Sequence, residues 1–284
     1  MTAVTDNPVP QPPSTGMKGL GAVGAVLVFI AGVQLFVLAD YTDRYFAWTI
    51  QPPLTAAFLG AFYWCSLAII YFGGAGGVWA RARPGMPAVV LFTTLTLVTT
   101  LLHLDRFHLN SPDPFTLFVT WAWIVVYVTV PPALVVLWVR QLRVPGGDPP
   151  LTASLPRWYR SVVGIQIAVA LAVGTVLFVT PQVAAQLWPW TLTPLTARAV
   201  SAWLLALALL LAFAVWENAW DRFRPTAVSC TALGVLQLLA LVRYPGEVDW
   251  GGIQTWVYLL FVLSILAVGL YGWREARRTS WRVP

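Results

Sequence analysis

Both histidines of the chain lie in one six-residue stretch, His103-Leu104-Asp105-Arg106-Phe107-His108, in a sequence of which only 10% is charged. Imidazole and carboxylate can pass protons, and guanidinium can hold a phosphate or carboxylate, so acid–base work or anion binding is the first chemistry to consider. His103, Asp105 and His108 are also acceptable ligand types for zinc or a similar divalent ion. Their spacing argues against a metal: positions two and five apart do not share a helix face, whereas three and four do. A haem held by two histidines on one short segment meets the same difficulty. We therefore expect neither a metal nor a cofactor and assign no catalytic residue.

What must position these groups is a set of membrane-spanning helices. The chain has 284 residues, 58% hydrophobic, with a mean hydropathy of +0.73. A soluble domain carries roughly 25% charged residues. About 18 apolar residues in a row suffice to cross a hydrocarbon core. Eight such runs are predicted, at 19–39, 54–73, 86–104, 114–139, 161–180, 195–216, 226–243 and 252–273, with Pro and Gly between them. The fold class is an all-α integral membrane protein. Cys65 and Cys230 fall within apolar runs and read as small buried hydrophobes.

The net charge of +6 does not indicate nucleic acid, because 13 of the 17 basic residues fall on alternate loops. These are Lys18; Arg81 and Arg83; Arg140, Arg143, Arg157 and Arg160; Arg222 and Arg224; and Arg274, Arg277, Arg278 and Arg282. Arg44, Arg106, Arg198 and Arg243 are left on the other side, one to a loop. Positive charge stays in the cytoplasm. The expected location is the cell membrane, multi-pass, with both termini cytoplasmic. The sole lysine precedes the first span, so no helix offers a Schiff-base amine for retinal.

The sequence also repeats itself. Gly32-Val33-Gln34-Leu35-Phe36-Val37 resembles Gly174-Thr175-Val176-Leu177-Phe178-Val179 at an offset of 142, and Trp48-Thr49 meets Trp190-Thr191 in that register. At 141, Leu54-Thr55-Ala56 meets Leu195-Thr196-Ala197, and Trp79-Ala80-Arg81-Ala82-Arg83-Pro84 meets Trp220-Asp221-Arg222-Phe223-Arg224-Pro225. Two four-helix repeats inserted the same way up imply a pseudo-two-fold axis along the membrane normal. The organisation is then a disordered cytoplasmic tail (1–17), a first repeat (18–140), a cytoplasmic linker (141–160), a second repeat (161–274) and a basic cytoplasmic tail (275–284). The Trp-x-Arg-x-Arg-Pro motif is expected to end the second helix of each repeat. The glycines at 19, 21, 24 and 32 are expected to admit a neighbouring helix. The repeat also argues that the first span is retained, although Val37-Leu38-Ala39 before Asp40 resembles a signal-peptide cleavage site.

Positions that match should hold the fold, and polar positions present in one repeat only are candidates for function. Outside, these are Asp40, Asp43, Arg44, His103, Asp105, Arg106 and His108, with Arg243 as the counterpart of Arg106. Inside, Glu217 and Asp221 face Gly76 and Ala80. Of 16 tryptophans most fit interfacial belts, but Trp64, Trp121, Trp123, Trp203 and Trp256 lie deeper in the outer half, where inward-facing rings would line an aromatic pocket. Arg106 and Arg243 could converge on an acidic partner as an ion-pair lock between repeats, or the outer cluster could bind a ligand.

The expected function is binding or transport of a small amphiphilic or lipidic molecule through a cavity open to the extracytoplasmic face. An accessory subunit of a membrane complex is one alternative. A membrane enzyme acting on a lipid or isoprenoid is another, with His103 or Asp105 as acid or base and Arg106 on a phosphate. A non-enzymatic role is favoured. Expected partners are the lipid bilayer, a lipidic small molecule and a membrane-protein partner or second copy.

Overall fold

A computed structural model describes residues 9–74, 77–151, 153–184, 186 and 188–279. In hydrocarbon every backbone N–H and C=O must be satisfied within the segment, which leaves helices. Among the described residues, eight helices are long and apolar enough to cross a membrane. They are α1 (Thr15–Gly32, continued by a π-helical turn, Val33–Val37), α2 (Pro53–Gly74), α3 (Gly85–Leu102), α4 (Pro114–Gln141), α5 (Arg157–Val179), α6 (Pro194–Glu217), α7 (Trp220–Arg243) and α8 (Ile253–Thr279). Among the described residues there is no strand, only an isolated bridge between Pro10 and Gly147.

Local chemistry sets the helix ends. Ser14 Oγ accepts from Met17 N–H to start α1, and Asp113 accepts from the amides of Phe115 and Thr116 to start α4. Thr193 and Thr196 form a capping box ahead of α6, and Asn218 closes that helix in the left-handed conformation (φ 47°). Proline at the first helical position of α4 and α6 forfeits no intrahelical bond.

α4 runs continuously through Pro131 and Pro132. Several expectations change. The Trp-x-Arg-x-Arg-Pro motif opens the third helix of each half and does not close the second. Trp220 starts α7, while Trp79–Ala82 forms a separate short helix before α3. The segment expected to be disordered is fixed from Val9 onward. Gln11 N–H donates to Gly147 O (2.9 Å), Gly147 N–H donates to Val9 O (3.0 Å) and Gln141 Nε2 donates to Pro12 O (2.9 Å). The basic tail is helical as far as Thr279. Residues 1–8 and 280–284, with Gly76 among the compared positions, lie outside the described residues.

α2, α6 and α7 are the most enclosed helices, and α1 and α4 the least. α1 packs along α2 and α5 along α6; α3 lies beside α4 and α7 beside α8; α2 crosses to α7, and α3 to α6. Across the α2–α7 seam Ser229 Oγ donates to Cys65 O (2.9 Å), and Gln237 Nε2 to Phe58 O (3.2 Å). Trp190 Nε1 donates to Thr55 Oγ1 (2.9 Å).

The glycines divide by what they touch. A methyl at Gly269 of α8 would stand 2.5 Å from Thr231 N and 2.7 Å from Thr231 Oγ1, so α7 and α8 meet backbone to backbone. A methyl at Gly32 would collide with the Trp64 ring, and one at Gly174 would stand 2.9 Å from Leu205 Cγ. Gly19, Gly21 and Gly24 admit no close helix: nothing lies within 4 Å of a Cβ at Gly19, and Ile70 is 3.8 and 4.0 Å from those at Gly21 and Gly24.

Gly269→Ala is therefore expected to destabilise by about 1–3 kcal/mol through overpacking. Gly19→Ala should be neutral or stabilising by up to about 1 kcal/mol, since alanine favours a helix and meets open space. Thermal unfolding of both variants in detergent measures the contrast.

Candidate functional site

Loops at one end of the bundle carry the histidines, and they bond to one another. The outer cluster that the sequence groups together separates there into small structural pairings. His108 is a latch: its Nε2 lies 3.0 Å from Thr49 Oγ1, its Nδ1 3.1 Å from Phe46 O, and its amide donates to Ala47 O. Asp105 and Arg106 pair with each other in the open, each more than two-thirds exposed. Arg44 reaches Asp113 at 3.8 Å. Asp43 is exposed. Arg243 donates to Asp40 Oδ2 at 3.0 Å and to the carbonyls of Phe36 and Val37, so the lock that the sequence suggested forms with Arg243 and not with Arg106. Tyr244 donates to the same Asp40 oxygen at 2.8 Å.

His103 meets a residue that the sequence did not single out. Arg198 of α6 donates from Nη1 to His103 Nε2 at 2.7 Å and from Nε to Phe178 O at 3.2 Å. The imidazole must be neutral to accept. Burial first, and the Arg198 charge second, hold its pKa below the ordinary 6.5, while Asp105 opposes them. Among the described residues no cluster of three metal-ligating side chains occurs.

At the arginine-rich end the two inner candidates anchor a dense ion network. Arg81 Nε and Nη2 donate to Asp221 Oδ2 and Oδ1, both at 2.9 Å, and both side chains are about nine-tenths buried. Arg83 grips Glu217 through Nε and Nη2, the latter at 2.7 Å, and reaches Asp148 at 2.8 Å. Arg222 bonds Glu217 at 2.5 Å and Asp148 at 3.1 Å. Charges alternate around this ring, so each carboxylate is matched, and the linker is tied to both halves through Asp148.

The five deep tryptophans also divide. Trp121 (51% exposed) and Trp256 (56%) face outward. Trp64 lies against α1, with Nε1 donating to Phe29 O at 3.2 Å. Trp123 and Trp203 face inward and wall a cavity of about 620 Å³ in the amino-terminal half. α1, α2, α3 and α4 enclose it with α6 behind, and among the described residues no charged side chain lines it. Near one end are Phe46 and Trp123; near the other are Met17, Trp79 and Leu134. The glycines that admit no close helix, Gly21 and Gly24, form part of its wall.

The cavity is open at the side. Val23 and Ile30 of α1 and Phe115 and Phe118 of α4 line it, yet are 47–69% exposed, because α1 and α4 barely touch. The expected outward-opening pocket is therefore a lateral one. About halfway along, Tyr63 and Tyr127 join hydroxyls at 2.6 Å across the space between α2 and α4. The sequence gives no sign of this pair, since the two residues are 64 apart on different helices.

No protein-family model, curated protein or solved structure matches this chain.

The His103 pairing carries a pH dependence with a definite sign. A histidine whose folded pKa is depressed contributes stability that is present above its unfolded value, near 6.5, and is lost as pH falls through the folded value. The wild-type melting temperature should fall on acidification below about pH 6.5. His103→Gln, which can still accept from Arg198, should show a shallower acid limb. Parallel melting curves would contradict the assignment.

Proposed function

We propose that this polytopic membrane protein binds a lipidic molecule whose chain enters sideways, between α1 and α4, into the cavity of the amino-terminal half. The observation that carries the reading is the cavity itself. Its volume of about 620 Å³ falls within the roughly 300–1,000 Å³ of ordinary ligand sites. Its walls are mostly apolar and carry no charge among the described residues, and its rim faces the surface that lipid would cover. An alkyl or isoprenoid chain loses nothing on entering such a space, whereas a charged solute would have to shed its water without compensation.

The two-repeat reading supports this. Helix pairs correspond under the sequence offset: α1–α2 with α5–α6, α3–α4 with α7–α8, and α2–α7 with α6–α3. Gly32 against Trp64 matches Gly174 against Leu205. The equivalent carbonyls of Phe36 and Phe178 are each bonded by an arginine. The halves differ in the fourth helix. In the second half Tyr159 donates to Val268 O at 2.8 Å and Gln166 to Ser264 Oγ at 3.1 Å, filling the space between α5 and α8. Their counterparts at an offset of 142 are Met17 and Gly24, and both line the cavity. One repeat is packed shut and the other is left open.

The charge distribution supports an orientation with the arginine-rich end in the cytoplasm, as the positive-inside rule requires. The histidine end is then the outer one.

Gly24→Leu fills the cavity from a position with no close neighbour. It should also stabilise the helix by about 0.5–1 kcal/mol, so loss of binding would not be loss of fold. The test is photolabelling in nanodiscs with a saturated chain carrying a terminal diazirine. Labels should concentrate on cavity-lining residues such as Val89 and Val126, and drop several-fold in Gly24→Leu. Labels spread evenly over the lipid-facing sides of α5 and α8, unchanged by the substitution, would overturn the reading.

A further inference from the structure

At the outer end of the large cavity lies a second, much smaller one of about 20 Å³. Phe46, Tyr63, Phe92, Trp123 and Trp203 wall both. The small space takes one oxygen-sized group, since about 10–15 Å³ accommodates a water. It is also where hydrogen bonding is unfinished. Trp48, Thr96 and Thr99 all line it, and Trp48 Nε1, Thr96 Oγ1 and Thr99 Oγ1 are buried without a partner. In a mostly apolar bundle, three orphaned polar groups around one space are costly, at about 1–3 kcal/mol each.

The chemistry of the three is directional. An indole N–H only donates, so whatever satisfies Trp48 must accept. The two hydroxyls can donate as well. The neighbouring Tyr63–Tyr127 pair has one O–H spent on the other, which leaves a further donor at the junction of the two cavities. Among the described residues no carboxylate lines either space, which removes the partner an ammonium ligand would need. No arginine, lysine or histidine does so either, which removes the partner of a phosphate or carboxylate. The second repeat has no such set: in the register that pairs Arg106 with Arg243, Leu233 and Leu236 stand where Thr96 and Thr99 stand, and the indole of Trp190, the counterpart of Trp48, is satisfied by Thr55.

We infer that the ligand is a neutral lipid bearing a carbonyl oxygen, a quinone or an ester, seated with that oxygen among Trp48, Thr96 and Thr99 and its chain running toward the cytoplasmic end. This rests on the lateral cavity being a chain-binding site. It adds the ligand's polar end and its orientation. From the Tyr63–Tyr127 level inward most of the wall is carried by residues such as Leu27, Ile69, Met86 and Leu134, and the hydroxyls of Ser66, Thr93 and Ser229 are spent on backbone carbonyls.

Competition against the diazirine chain probe tests it with three compounds: decylbenzoquinone, methyl laurate and decylbenzene. The last has ring and chain but no oxygen. At least one carbonyl compound should displace the probe at a roughly tenfold lower concentration than decylbenzene, the scale of one or two added hydrogen bonds. Which one does so identifies a ring or an ester carbonyl. The double variant Thr96→Val, Thr99→Val should lose most of that preference while binding decylbenzene as before. It should also melt no lower than wild type, since it removes two unpaired buried hydroxyls. Equal displacement by all three compounds would overturn the inference and leave the chain site standing. A preference unchanged in the double variant would overturn the assignment of the threonines. If no compound displaces the probe, and the probe itself does not label the cavity, the chain-binding reading fails as well.

Discussion

A polar group inside a hydrocarbon slab has no water to fall back on, and this one constraint orders the whole molecule. It drives the backbone into helices and the charges to the two ends. There several guanidinium groups are matched to carboxylates or carbonyls: Arg81 to Asp221, Arg83 and Arg222 to Glu217 and Asp148, Arg243 to Asp40, Arg198 to Phe178 O. It sends hydroxyls within the spans back to their own helix, as Thr93 bonds to Val89 O and Thr100 to Thr96 O. Against that order, the polar groups that break the rule stand out. Three of the few side-chain atoms left buried without partners among the described residues ring one small space.

The second feature is an imbalance between two similar halves. In the carboxy-terminal half the fourth helix is drawn against the third, through Gly234 and Gly269, and the gap to the first is closed by Tyr159 and Gln166. In the amino-terminal half small residues occur on α1 instead, where they leave room, and α4 stands off. Under the proposed two-repeat reading, duplication followed by loss of packing in one copy is an economical route to a site, with the closed copy as scaffold and the open copy free to take a ligand.

How much of this was legible in the sequence depends on what each feature requires. The eight spans could be read because hydropathy is a property of a single run of residues. The offset matches could be read because they compare the chain with itself. The contacts of His103 and His108 could not, since they are made with Arg198, Phe46 and Thr49, which neither spacing nor composition brings near. Proximity in sequence made six residues look like one site, and the structure deals them to separate partners. The inner pair, Glu217 and Asp221, was visible as an asymmetry, but not as a lock, because Asp148 lies in a Pro-Gly linker that reads as spacer. Trp123 and Trp203 were recognised as deep. Only packing could show that they face the cavity while Trp121 faces away.

The most direct test is native mass spectrometry of the protein released from its own membranes. The account requires one copy of an uncharged lipid of defined mass to remain on the wild-type chain through a delipidating wash, and to be missing from a chain with the cavity filled at residue 24. A wild-type chain that flies bare, or that carries the same assortment of bulk lipids as the filled variant, would contradict it.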